Sequence, residues 1–117
     1  MVEMSLQEFE DAVSDALDQL PEAVIEQIDN VVVLVEDEPD PQTPDVLGIY
    51  DGVPLTERDG MWAMGALPDR IIIYRNPTLR MCESRDEVVK EVLITVVHEV
   101  AHYFGIDDDR LHELGWS

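Results

Sequence analysis

Two histidines and a glutamate in the last twenty residues of this 117-residue chain have a spacing suited to metal chemistry. They form the stretch His98-Glu99-Val100-Ala101-His102. Residues four apart lie on one face of an α-helix, so the imidazoles of His98 and His102 can converge on one ion. A catalytic zinc site needs three protein ligands and a water, and neutral imidazole is a suitable ligand. Glu99 is placed to take a proton from that water, so the pattern predicts a zinc-dependent hydrolase site.

A third metal ligand must come from outside this motif. Gly105 can turn the chain sharply after the helix and bring Asp108 back toward the metal, and carboxylate oxygen is an accepted zinc ligand. Asp108 also suits the N-cap of a following helix, although Asp107 or Asp109 can serve instead. His112, one helical turn beyond Asp108, is an alternative ligand, a supporting group or a proton donor. The sequence favours Asp108 as the third ligand.

The helix that carries the motif is marked by signals at both ends. Residues 84–87, Ser-Arg-Asp-Glu, have the pattern of a capping box, with two acids near the positive end of the helix dipole. The helix is predicted to run to about Phe104, where Gly105 provides a left-handed stop. One apolar face is marked by Val88, Val92, Val96 and Val100. A helix this apolar is expected to be central to the fold.

The rest of the chain predicts one further long helix and a small sheet. A capping box at residues 5–8 opens an amphipathic helix, which Pro21 either ends or follows with a second short one. Residues 31–35 predict a buried strand and residues 46–50 a second. The third strand runs from Ile71 to Tyr74, where Asn76-Pro77 stops it. Residues 36–45, rich in proline and acids, predict an exposed loop.

These elements define the expected fold. A short last helix is predicted from Asp107 or Asp108 to Leu114. We expect an α+β architecture, with a three- to four-stranded sheet packed on the N-terminal helix and the central motif helix. The length predicts a single domain over residues 1–117.

Composition restricts the class of partner. Seven basic residues against 27 acidic ones give a formal charge of −20, which repels phosphate backbones and anionic lipids. We therefore expect no nucleic-acid or membrane partner. The apolar runs are far shorter than the roughly 20 residues that span a bilayer, and the N-terminus lacks a signal-peptide pattern. Cys82, the lone cysteine, is expected to be an inert, partly buried thiol. The chain is predicted to be cytoplasmic, with its oligomeric state, a monomer included, left open.

The extended motif resembles that of the metzincin-type peptidases, in the variant whose third ligand is aspartate. Its residues are His98, Glu99, His102, Gly105 and Asp108. The chain as a whole is similar to a family of small bacterial zincin-like metallopeptidases of about this length. The stretch from Leu47 to Arg58 resembles a second block shared by that family. The resemblance implies that zinc is held by the two motif histidines and Asp108, with Glu99 as general base.

The resemblance also implies a substrate and its position. Zincins hydrolyse peptide bonds, and the strand from Ile71 to Tyr74 precedes the motif helix, as does the edge strand that receives extended peptide in zincins. We therefore expect a peptide or protein substrate to add along this strand. Tyr74, Tyr103 and His112 are the candidates for stabilising the oxyanion.

Two other functions fit the same residues. One is a metal-binding interaction protein that keeps the zincin scaffold with little or no proteolysis. Larger metzincins have a methionine turn under the metal and a C-terminal subdomain, whereas nine residues without methionine follow Asp108 here. The other is a metal hydrolase acting on a non-peptide bond, since small bacterial RNA-processing proteins use a similar histidine spacing. Glu99 and the acidic surface argue against that last reading.

Overall fold

Five helices and three strands make up the part of the chain that the computed structural model describes, which is residues 2–28, 30–52, 68–106 and 108–113, without the side chains of residues 108, 111 and 112. In chain order they are α1 (Leu6–Asp18), α2 (Glu22–Ile25), β1 (Val31–Glu36), β2 (Gly48–Asp51), β3 (Asp69–Tyr74), α3 (Arg75–Met81), α4 (Arg85–Tyr103) and α5 (Asp108–Glu113). The α+β architecture predicted from the sequence is confirmed, with three strands in the described sheet.

The sheet has β3 in its centre. β3 runs parallel to β1 and antiparallel to β2, and Ile71 pairs with Val33 on one side and Tyr50 on the other. The backbone hydrogen-bonding groups of β3 are therefore engaged on both sides. The prediction that a peptide adds along the strand from Ile71 to Tyr74 is wrong, because that strand has no free edge.

The strand β1 lies at an edge of the described sheet. Its side chains alternate between half-buried and exposed, so only one face of the strand is covered. The prediction that residues 31–35 form a buried strand is wrong in this respect. Their mainly β-branched composition reflects a preference for extended backbone, and not burial on both faces.

The core lies between the sheet and the two long helices α1 and α4. Its largest fully buried aliphatic and phenylalanine side chains come from all three elements, and they are Phe9, Ile71, Ile73, Val88, Val92 and Val96. Burying each such side chain stabilises the fold by about 1.5–3 kcal/mol. The motif helix is thus central, as predicted. None of the helices in the described ranges is long and apolar enough to cross a membrane.

Side-chain caps begin both long helices. At α1, the hydroxyl of Ser5 accepts from the N–H of Glu8 and the carboxylate of Glu8 accepts from the N–H of Ser5, both at 3.1 Å. At α4, the hydroxyl of Ser84 accepts from the N–H of Glu87 at 3.2 Å. The Glu87 carboxylate, however, accepts from the N–H of Glu83. The first capping box is therefore complete. In the second, the carboxylate of Glu87 accepts from the residue before the N-cap and not from the N-cap itself.

Two prolines mark helix starts. Pro21 precedes α2, so the second of the two alternatives for this proline is the correct one. The sequence Asn76-Pro77 does not leave an irregular segment after β3, because α3 begins at Arg75. Proline is tolerated in the first turn of a helix, where its missing N–H has no helical partner. Asn76-Pro77 therefore lies in the first turn of α3, a helix that the sequence analysis did not predict.

Cys82 follows α3 and is almost completely buried, with 1% of its surface exposed. Burial raises the pKa of its thiol above the ordinary value. A buried thiol with a raised pKa forms little of the reactive thiolate near neutral pH. The residue therefore packs as a small hydrophobic side chain, more deeply buried than predicted.

Candidate metal site

Three side chains of α4 converge near its C-terminal end. His98, Glu99 and His102 offer ligand atoms that all lie within 4.8 Å of one another. The two imidazole rings are 4.6 Å apart between centroids, at an interplanar angle of 67°. Two imidazole nitrogens and a carboxylate oxygen at this spacing are a donor set that suits Zn²⁺. The residues present therefore fit a bound divalent metal ion.

Glu99 is buried beside His102. Its side chain is only 7% exposed, and its Oε1 lies 3.2 Å from Nδ1 of His102. A buried carboxylate requires polar partners of this kind. When Nδ1 donates its proton to this oxygen, Nε2 of His102 keeps the lone pair that a metal requires. In that tautomer, the hydrogen bond to the carboxylate holds the imidazole ring with Nε2 available to a metal ion.

A glycine turn ends α4. Gly105 adopts a φ of 82°, which glycine tolerates without strain. Its N–H donates to the carbonyl of His102 at 2.9 Å, and the N–H of Ile106 donates to the carbonyl of Ala101 at 3.0 Å. This is a Schellman motif, and it confirms the predicted glycine stop.

The predicted third ligand lies just beyond this turn. The backbone places Asp108 at the first position of α5 and His112 one turn later in the same helix. The side chains of both residues, and all of Asp107, lie outside the described residues. The assignment of Asp108 as a ligand, with His112 as the alternative, therefore stays a prediction.

A cleft of about 370 Å³ opens beside the metal-site residues, between α4 and the start of β2. Its lining consists of Leu47, Gly48, Glu91, Ile94, Thr95, His98 and Glu99. The strand β2 forms an edge of the sheet, and among the described residues no strand pairs with its outer side. The edge strand that borders the cleft beside α4 is therefore β2.

Gly48 permits a close approach between β2 and α4. A Cβ atom at this position would lie 2.7 Å from Cγ2 of Thr95 and 3.1 Å from the carbonyl oxygen of Ile72. Thr95 is buried, and its hydroxyl donates to the carbonyl of Glu91 at 2.7 Å. Its methyl group therefore cannot rotate away without losing that hydrogen bond.

We expect the substitution Gly48→Ala to destabilise the fold by about 1–3 kcal/mol, because overpacking forces the strand away from the helix. Urea unfolding followed by circular dichroism measures the change. The double variant Gly48→Ala/Thr95→Ser removes the clashing methyl group, and we expect it to recover part of the loss. Unchanged stability in Gly48→Ala would show that the close approach is not required.

Neither tyrosine proposed for the oxyanion lines the cleft. Side chains alternate along β3, so Tyr74 lies on the sheet face opposite to Ile73, which packs against α4 in the core. Tyr103 is 1% exposed and packs edge-to-face on Tyr50, with ring centroids 6.2 Å apart. The side chain of His112 lies outside the described residues, so the identity of the oxyanion-stabilising residue stays a prediction.

The methionines before α4 and the second family block are only partly within the described residues. Larger metzincins have a methionine turn under the metal, whereas Met81, at the end of α3, is 52% exposed and does not line the cleft. Met61 and Met64 lie outside the described residues, as does the part of the second family block beyond Gly52. Leu47 and Gly48, which begin that block, line the cleft.

Glu91 and Thr95 are cleft residues that the sequence reasoning missed. Both lie on the same strip of α4 as His98, at intervals of four and three residues. The signal was therefore present in the helical spacing. It was overlooked because these positions precede the recognised motif.

The fold and the site together define a small α+β domain built around a helix that carries a candidate metal-binding cluster. Residues 28–116 match the family model of the zincin-like metallopeptidases, and the chain belongs to this family. Its fold is similar to that of a conserved hypothetical protein from Thermo thermophilus, with a TM-score of 0.57 and 24% sequence identity over 95% of this chain and 97% of that one. No curated protein sequence matches the chain significantly.

Proposed function

We propose that the chain is a zinc-dependent peptidase. The observation that carries this proposal is the cluster of His98, Glu99 and His102, within 4.8 Å of one another at a cleft beside β2. Membership of the zincin-like metallopeptidase family supports it. The two histidines and Asp108 would hold the metal. Bound zinc supplies a Lewis acid that polarises a carbonyl and lowers the pKa of a coordinated water.

The carboxylate of Glu99 acts as general base and then as general acid. It accepts the proton of the attacking water and passes it to the nitrogen of the leaving amine. The hydrogen bond to His102 holds this carboxylate at the site, and its low exposure limits competition from bulk water. Proton transfer requires the carboxylate to lie close to the attacking water, and Glu99 lies beside the two histidines that would hold the metal.

The strand β2 positions the substrate. It runs along α4, because Gly48 lies against Thr95 and the ring of Tyr50 contacts that of Tyr103. An extended peptide that hydrogen-bonds to the outer edge of β2 therefore passes His98. This placement replaces the one predicted along β3.

Asp108 is expected to be the third ligand. The substitution Asp108→Ala should weaken zinc binding by at least about 100-fold, since a lost ligand costs more than a lost supporting contact. Competition with a chromophoric chelator measures the affinity, and Asp109→Ala, which removes the adjacent carboxylate, is the matched control. Zinc affinity unchanged in Asp108→Ala but reduced in His112→Ala would transfer the role to His112.

The test of the function is cleavage of a peptide library by the zinc-loaded chain, read by mass spectrometry. We expect discrete products that are absent after chelation of the metal and absent with Glu99→Gln. Stoichiometric zinc binding without cleavage of any peptide would contradict the proposal. It would favour the alternative function, a metal-binding interaction protein, which the formal charge of −20 also fits.

A further inference from the structure

Glu91 places a second carboxylate in the cleft of the metal site. It lies on α4 seven residues before His98, which corresponds to about 10.5 Å along the helix axis. Both residues line the same 370 Å³ cleft, and Glu91 is half-buried. It does not belong to the cluster of donor atoms that fits a metal. In the described part of the chain, no side chain forms an ion pair or hydrogen bond with its carboxylate.

The cations of the described chain are engaged elsewhere. Five arginines form ion pairs with acids outside the cleft. The pairs are Arg70–Asp51, Arg75–Asp37, Arg80–Glu38, Arg85–Glu8 and Arg110–Glu113. Lys90 is exposed and is not part of the cleft lining. The cleft lining therefore has two carboxylates, those of Glu91 and Glu99, and no lysine or arginine. Because bound zinc would offset the charge of Glu99, the carboxylate of Glu91 is the negative group that remains to attract a cation.

We propose that Glu91 is a specificity-determining residue that selects a cationic group of the substrate, either a lysine or arginine side chain or a free N-terminal ammonium. This inference rests on the proposed peptidase function. An extended peptide advances about 3.3–3.6 Å per residue, so the distance to His98 spans about three residues. A long lysine or arginine side chain of the substrate can reach along the cleft, which shortens the separation to about two peptide residues. The cation therefore lies two or three residues from the scissile bond.

The experiment compares matched peptides that carry lysine or glutamine at each position near the cleaved bond, with free or acetylated N-termini. We expect the wild-type protein to cleave the cationic peptide with a kcat/KM about twofold to fivefold higher, and Glu91→Gln to lose this preference. Glu91→Lys should favour the neutral peptide. Glu10→Gln, which removes an exposed charge from α1, is the control and should keep the wild-type preference. The acetylated arm distinguishes a side-chain cation from a terminal ammonium.

A binding measurement separates this inference from the proposed function. The zinc-loaded Glu99→Gln protein is titrated with the same fluorescent peptides, with and without the additional change Glu91→Gln. We expect the affinity for the lysine peptide to fall about twofold to fivefold only when Glu91 is changed. Cleavage with no cationic preference overturns the role of Glu91 and leaves the peptidase function in place. Absence of cleavage overturns the peptidase function, and the binding titration then supports or refutes the cation site independently.

Discussion

The substitution Glu99→Gln should reduce peptide hydrolysis by at least about 1,000-fold while leaving zinc bound. General acid–base catalysis by a positioned side chain contributes about 10²–10⁴-fold, and here one carboxylate performs both proton transfers. Glutamine keeps the length of the side chain, and its amide oxygen can still accept from Nδ1 of His102. The fold and the orientation of His102 should therefore survive, so the lost activity reports the lost base.

The measurement is kcat/KM for the best library peptide, with zinc stoichiometry determined on the same preparation. Glu10→Gln controls for the change in net charge. If Glu99→Gln retains wild-type hydrolysis with full zinc occupancy, the carboxylate is not the base and the mechanism proposed for this site is wrong. If hydrolysis and zinc are lost together, the carboxylate is needed to hold the metal site in place.

The parts of the structure that the sequence predicted depend on short-range interactions. The Ser5 cap, the run of buried valines on α4 and the Gly105 turn each involve residues within a few positions of one another. The convergence of His98 and His102 follows from the helical repeat alone. These features could therefore be predicted without knowledge of the tertiary fold.

The wrong predictions concern long-range pairing. Whether a strand lies at the centre or the edge of a sheet depends on partners that are remote in sequence. Composition therefore predicted a buried β1, and the resemblance to zincins placed β3 at the edge. The centre is in fact β3, and the consequence reaches the site, because the strand beside the metal helix is β2. Glu91 lines the cleft because β2 packs against α4, and the sequence does not predict that packing.

Replacing either motif histidine should abolish stabilisation of the fold by zinc. A ligand that binds only the folded state at 100 times its Kd raises the free energy of unfolding by about 2.7 kcal/mol. We expect this gain in the wild-type protein and in Glu99→Gln. His98→Ala and His102→Ala each remove a donor from the cluster within 4.8 Å, so their unfolding midpoints should not respond to zinc.

The measurement is urea unfolding with and without excess zinc, which requires no substrate and so tests the metal site independently of proteolysis. His112→Ala is the matched control on α5, and it should keep the zinc response if Asp108 is the third ligand. A full zinc response in both His98→Ala and His102→Ala would mean that the ion binds elsewhere on this acidic chain. A lost response in both, together with the retained response of Glu99→Gln, would assign metal binding to the imidazoles and leave proton transfer to the carboxylate between them.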